Sequence, residues 1–239
     1  PAALPCFDYA AAAPRTGMDM NGRPSLDGVF ISPHKFIGGP GTPGVLIVKG
    51  QLLKNPVPAI VGGGTVTYVT PEDHQYVSDA ERREEGGTPG IVESIRAGLV
   101  FKLQQDVGLQ EIARREHAFI SRAITRLAQC EDLEILGPLD VPRLSILSLR
   151  LKRGDKDLHY GFVVSLLNDL FGIQARGGCS CAGPYGHSLL GMDMSYSRAI
   201  ESQIAAGNAI LRPGWVRLNF NYFISEAEFD YLLGAIELV

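Results

Sequence analysis

The run Ser32-Pro33-His34-Lys35 carries the most promising chemistry in this chain of 239 residues. A lysine is ordinarily a solvated surface residue. Lys35 differs in context: an apolar segment precedes it, His34 adjoins it, and Gly38-Gly39-Pro40-Gly41-Thr42-Pro43-Gly44 follows with little side-chain bulk. An amine that attacks an aldehyde must be neutral, and partial burial near cations or dipoles supplies that state. Small neighbours leave space for a flat cofactor. Two readings stand, a surface lysine and a Schiff-base lysine. Asp8 ends an apolar segment 27 positions earlier. Aspartate at a strand end is most often a turn or cap residue. It is also the group that would pair with the pyridinium nitrogen of pyridoxal phosphate and keep that ring an electron sink. Asp and Lys on adjacent strand ends of one sheet are well placed to bracket such a ring.

Further along lies Arg176-Gly177-Gly178-Cys179-Ser180-Cys181-Ala182-Gly183-Pro184. Its thiols allow three readings. Structural zinc wants four ligands in paired clusters, and Cys6 and Cys130 stand alone, so no metal site is expected. Inert loop thiols are the second reading. The third is a nucleophile, with a thiolate near Arg176 on a Gly-rich loop. Arg176 and Arg217 are surface ion-pair residues or forks for a substrate carboxylate, since a guanidinium binds both oxygens at once. Gly39-Pro40-Gly41-Thr42-Pro43-Gly44 fits G-x-G-x-x-G literally. A dinucleotide loop must open a helix, whereas Val45-Leu46-Ile47-Val48 reads as a strand; a stiff turn fits better.

These residues need a scaffold. Residues 4–7, Leu26–Ile31 and Val45–Val48 read as short strands. Residues 61–90 hold two Gly-rich stretches around Glu81-Arg82-Arg83-Glu84-Glu85, a run expected to be a solvated or interface loop. Ile91, Ile95, Leu99 and Leu103 recur at helical spacing, and a second helix is expected from about Leu109 to Gln129. Then come a strand over Leu144–Leu151, a helix over Leu158–Phe171 stopped by Gly172, and a short strand over Ile173–Ala175. A strand over Trp215–Phe220 and a helix over Glu226–Leu238 with Ser225 as N-cap close the chain. This order suggests an α/β protein with a small α/β domain at its C-terminal end.

Hydrophobic residues make up 45% and charged residues 20%, the balance of an ordinary globular protein. The formal charge of −4, with no basic block, gives no footprint for nucleic acid or an anionic membrane. Apolar runs are too short and broken to span a bilayer. Four cysteines in a chain this long do not make a disulfide scaffold, so reduced thiols in a cytoplasmic protein are expected. The opening Pro1-Ala2-Ala3-Leu4-Pro5-Cys6-Phe7-Asp8 reads like the middle of a domain, so a fragment of a longer protein is expected.

The ordered set of motifs resembles the class V aminotransferase family, fold-type I pyridoxal-phosphate enzymes that include the cysteine desulfurases and selenocysteine lyases. The family's Asp-x-Ala strand end is matched by Asp8-Tyr9-Ala10. Its Ser-x-His-Lys run is matched by Ser32-Pro33-His34-Lys35, followed by the Gly-Pro-Gly loop and strand. Gly62-Gly63-Gly64 and Glu85-Gly86-Gly87-Thr88-Pro89 match its Gly-Gly stretch and Glu-x-Gly-Thr-Pro run. Arg176 to Pro184 matches its cysteine loop, and Arg217 in Val216-Arg217-Leu218-Asn219-Phe220 its C-terminal strand arginine. The resemblance covers the C-terminal part of the family's catalytic chain.

It implies an α/β fold, with residues 1–107 the C-terminal part of the large domain, a mostly parallel sheet with helices, and residues 108–239 the small α/β domain. It also implies pyridoxal 5'-phosphate as cofactor, with Lys35 as Schiff base, Asp8 on the ring nitrogen, and Ser32 and His34 on the phosphate. Thr88 would reach the phosphate of the neighbouring subunit, so the site would be shared in a homodimer. Arg176 and Arg217 would lie near an amino-acid substrate, and Cys181, by its spacing from Arg176, would accept sulfur and pass it to an acceptor protein. Three departures accompany these matches: Ala11 stands where desulfurases carry Gln, Ser180 where they carry His, and Gly191 to Leu211 looks like an added surface segment. Transamination of another amino acid on the same scaffold, or a domain without the full cofactor pocket, are the competing expectations.

Overall fold

The computed structural model describes residues 3–22, 25–179 and 183–239. The chain divides into two compact units, Pro1–Ile112 and Ala113–Val239. No helix among the described residues is long and apolar enough to cross a membrane.

In the first unit, β1 (Cys6–Asp8), β2 (Gly28–Ile31) and β3 (Val45–Val48) form one sheet in that order. β1 and β2 run parallel, with Asp8 opposite Phe30; β2 and β3 run antiparallel, with Phe30 opposite Leu46. Val29 and Ile31 therefore share one face, where they pack with Phe36, Val45 and Val100. A hairpin follows, β4 (Val66–Val69) and β5 (His74–Tyr76), which the sequence reading did not resolve.

The charged run at 81–85 is not a solvated loop. Most of it forms α1 (Ala80–Glu84), capped by Asp79, whose Oδ1 accepts the Arg82 N–H at 2.9 Å. Arg83 is buried and donates to the carbonyls of Val77 and Ser78 at 3.1 and 3.2 Å. The run marks a charge that organises local backbone, which a charge count cannot distinguish from a solvated one.

The long helix α2 (Ile91–Val107) follows. Its helical period is the expected one, but its packing face is not. Ile91, Ile95, Leu99 and Leu103 are 61%, 61%, 62% and 41% exposed, whereas Ala97 and Val100 are buried. Both faces of this helix are apolar, so periodicity finds the helix without choosing its inner side.

The unit boundary falls within α3 (Leu109–Leu127). The second unit continues through β6 (Leu133–Ile135), β7 (Ile146–Arg153), β8 (Lys156–Asp157), α4 (Tyr160–Phe171), β9 (Arg176–Gly178), α5 (Gly183–Leu189), α6 (Met194–Ala205), β10 (Trp215–Asn219) and α7 (Glu226–Leu238). The sheet order is β6-β7-β10-β9, all antiparallel, with β8 paired to β7. Leu147, Leu149 and Leu151 of β7 and Val216 and Leu218 of β10 face a core completed by α3, α4 and α7. The expected strand at Ile173–Ala175 lies three residues further on, at Arg176–Gly178. Gly172 (φ 67°) ends α4, and the Ile173 N–H closes back on the Leu167 carbonyl at 2.9 Å, so these residues finish the helix instead. Ser225 caps α7 as expected, with Glu228 completing a reciprocal capping box. The stretch 191–211 contains α6, which is capped by Asp193 and buries no residue.

Arg126 of α3 ties this unit to its C-terminal helix through two hydrogen bonds of 2.6 Å to Glu237. Those bonds hold the Glu237 carboxyl below the ordinary glutamate range. A lowered folded-state pKa gives stability that is present above the unfolded pKa and lost as pH falls through the folded value. Acidification from pH 6 to below about pH 4 is therefore expected to lower the unfolding temperature more steeply in wild type than in Glu237→Gln. Parallel calorimetric profiles would contradict this.

Candidate active site

Because β1 and β2 are parallel neighbours, the chain leaves both at the same end of the sheet. Asp8 is the last residue of β1; it is exposed, and its Oδ1 accepts the Ala10 N–H at 2.7 Å. This Asx-type bond orients the carboxylate at the strand end. Ser32 leaves β2 and starts one turn of 3-10 helix over Pro33–Lys35. The Lys35 N–H donates to the Ser32 carbonyl and the Phe36 N–H to the Pro33 carbonyl, both at 3.0 Å. Pro33 and Phe36 are buried while His34 and Lys35 are exposed, so the turn anchors its apolar residues and presents the imidazole and the amine. The structure thus brings Asp8, Ser32, His34 and Lys35 to one end of one sheet.

The supports of this turn were missed at the sequence level. Phe36 meets Phe101 of α2 edge to face at 5.2 Å. Arg96 of α2 donates to the Pro40 carbonyl at 2.8 Å, and Gln104 of α2 donates to the Ala13 carbonyl at 2.7 Å. One helix therefore braces both the loop after Lys35 and the segment after Asp8. Gly39 is the steric hinge. A Cβ there would stand 1.9 Å from the Pro33 carbonyl oxygen. Invisible as a contact in one dimension, this approach is nonetheless signalled by the Gly38-Gly39 pair directly after the lysine run.

Thr88 is exposed on the loop before α2. The two Gly-rich stretches flanking the hairpin pack backbone to backbone: a Cβ on Gly62 would stand 3.1 Å from the Gly87 nitrogen, and the Gly87 N–H donates to the Gly63 carbonyl at 2.8 Å. That contact sets the position from which Thr88 leaves.

In the second unit Arg217 of β10 stands directly opposite Arg176 of β9. Both line a cavity of about 300 Å³ with Gln174, Asn219 and Asn221. Cys179 follows β9 and is exposed; Cys181 lies outside the described residues.

The sequence profile of the Aminotransferase class-V family matches residues 2–232. The chain belongs to the class-V aminotransferase family. Among its relatives, a protein of Streptomyces coelicolor described as a probable cysteine desulfurase is 31% identical over 183 residues, covering 76% of this chain and 42% of that one. One of Halobacterium salinarum with the same description is 30% identical over 190 residues, covering 79% and 43%. The apo cysteine desulfurase of Thermococcus onnurineus superposes with a TM-score of 0.78 at 24% identity, over 99% of this chain and 52% of that chain. An Escherichia coli cysteine desulfurase gives 0.77 at 21% identity, over 98% and 51%. The expected α/β fold is thus that of solved class-V structures, and the chain spans less than half the length of the two sequence relatives.

Proposed function

We propose that this chain forms the Schiff-base half of a pyridoxal-phosphate enzyme acting on an amino acid, with cysteine or selenocysteine as the substrate that loses its chalcogen. The observation that carries the reading is the placement of Asp8 and Ser32–Lys35 at one end of a parallel strand pair. The donor set suits the cofactor: a primary amine, a carboxylate, a hydroxyl and an imidazole leave one end of one sheet, beside a loop whose Gly39 leaves no room even for a methyl group. When bound, pyridoxal phosphate supplies an electron sink for bonds at the substrate's α-carbon. Lys35 Nζ would hold the cofactor and carry protons, Asp8 would keep the ring nitrogen protonated, and Ser32 and His34 would take the phosphate. Residues 1–107 would belong to the large domain and 108–239 to the small one.

Arg217, opposite Arg176 in the cavity of the second unit, would hold the substrate carboxylate as a bidentate fork. Cys181 Sγ would attack the substrate sulfur. An S–S bond forms as the Cβ–S bond breaks, and Cβ keeps the bonding pair and takes a proton, leaving alanine and an enzyme persulfide. An acceptor protein would then remove the sulfur in a reducing, cytoplasmic setting. Thr88 would reach a partner subunit's phosphate in a homodimer, and the exposed apolar stripe of α2 that starts three residues later supports burial against further polypeptide.

The test uses the protein expressed from its complete reading frame. Added pyridoxal phosphate is expected to give a visible absorption band, and L-cysteine to give alanine and a persulfide on Cys181 by peptide mass spectrometry. Cys181→Ala is expected to abolish the persulfide while the band remains. Absence of the band would refute the enzyme reading. Ala11, at the position where desulfurases carry Gln, favours transamination as the second reading; an amino-group transfer that survives Cys181→Ala would select it.

A further inference from the structure

We propose that two aromatic rings seated on glycines position the two stems of the cysteine loop: Tyr160 against Gly177 and Gly214 at the N-terminal stem, and Trp215 against Gly186 at the C-terminal stem. The role of the loop thiols rests on the desulfurase reading above; the clamp itself does not.

β9 runs directly into Cys179. A Cβ on Gly177 would stand 2.6 Å from Tyr160 Cδ2 and 3.2 Å from Val164 Cγ2. A Cβ on Gly214 would stand 2.5 Å from Gly178 Cα and 2.9 Å from Tyr160 Cε1. Bare backbone of β9, and of the residue just before β10, therefore lies against the Tyr160 ring. That ring opens α4 and is itself flanked by the His159 ring at 4.3 Å.

The other stem is held one residue along β10. Trp215 is in register with Gly178 and only 3% exposed. A Cβ on Gly186 of α5 would stand 3.2 Å from Trp215 Cη2 and Cζ3, and 4.0 Å from Cys179 Cβ. The Trp215 ring thus supports α5 at a point where α5 lies beside Cys179. The indole N–H is buried without a hydrogen-bond partner among the described residues. An unpaired buried donor is unfavourable, so the contacts this ring makes here are steric rather than polar. Three glycines, each facing an aromatic ring, hold β9 and α5, the described elements on either side of residues 180–182. Displacing a reacting group by about 1 Å can cost as much as about a hundredfold in rate.

The experiment compares wild type, Gly186→Ala and Trp215→Phe, each from the complete reading frame and loaded with pyridoxal phosphate. It reads the visible band, first-turnover persulfide with L-cysteine, iodoacetamide alkylation of Cys179, and the emission of Trp215, the one tryptophan of residues 1–239, taken as the part of the emission that Trp215→Phe removes. Gly186→Ala is expected to keep the band, slow persulfide formation by about tenfold or more, change the alkylation rate several-fold and shift the Trp215 emission. Trp215→Phe, which lacks the Cη2 and Cζ3 atoms that stand against Gly186, is expected to keep the band while slowing persulfide formation and changing the alkylation rate as well. Unchanged alkylation and emission in Gly186→Ala, or loss of the band in parallel with persulfide, would overturn the clamp. If Gly186→Ala does not fold, Tyr160→Leu is read by the same band, persulfide and alkylation criteria. If wild type forms no persulfide, the desulfurase reading fails, and alkylation and emission still decide the clamp.

Discussion

Alanine at Lys35 is expected to remove the visible absorption band given by pyridoxal phosphate and to lower turnover by about a thousandfold or more, with little change in stability. The structure explains why the two effects separate. Lys35 is exposed, and the bonds that make its turn are backbone bonds, from Lys35 to Ser32 and from Phe36 to Pro33. The apolar anchors are its neighbours, Pro33 and Phe36. Truncating a surface side chain of this kind typically changes stability by no more than about 0.5 kcal/mol. Loss of the band would therefore be chemical rather than a consequence of unfolding. Lys35→Arg should fail as well, because a guanidinium keeps its proton and cannot act as a nucleophilic amine. A cofactor band and turnover that persist in Lys35→Ala would remove Lys35 from the mechanism.

Gly39→Ala is expected to be as damaging by a different route. The added Cβ would meet the Pro33 carbonyl oxygen at 1.9 Å and the Phe36 carbonyl oxygen at 2.9 Å. Both are backbone atoms of the lysine turn, so no rotamer change relieves the contact. Gly39 also donates its N–H to the Phe36 carbonyl at 3.0 Å, and its own carbonyl accepts the Thr42 hydroxyl at 2.7 Å. Moving it away breaks the loop it closes. A loss of at least about 3 kcal/mol in urea unfolding is expected, together with loss of the band although Lys35 is intact. Gly50→Ala is the control: a Cβ there meets nothing within 4 Å, so a change within about 0.5 kcal/mol is expected. Equal urea midpoints for wild type and Gly39→Ala would show that the loop does not pack as described.

The placement of Asp8, Ser32–Lys35 and Arg217 was legible because each is a chemically distinctive residue at the end of, or within, a short apolar strand. Strand ends are local features. Val45–Val48, α2, α4 and α7 were legible for the same reason, through period and capping. The sequence also carried the order of the motifs, and hence the family. What it could not carry is which face of an element meets which neighbour. The apolar stripe Ile91, Ile95, Leu99 and Leu103 announced a helix, yet Ala97 and Val100 are the buried positions, because both faces are apolar and only packing against Phe36 and the sheet chooses between them. Arg83 looked solvated until the fold placed the Val77 and Ser78 carbonyls around it. Arg176 moved onto a strand because Gly172 and Ile173 complete the end of α4. Gly39 against Pro33, and Gly186 against Trp215, are distances between backbone and distant or folded-back atoms. By itself the sequence determined the fold family and the order of the groups proposed to react. Tertiary structure decided which are braced, by what, and how closely, since close packing depends on three-dimensional neighbours that periodicity does not encode.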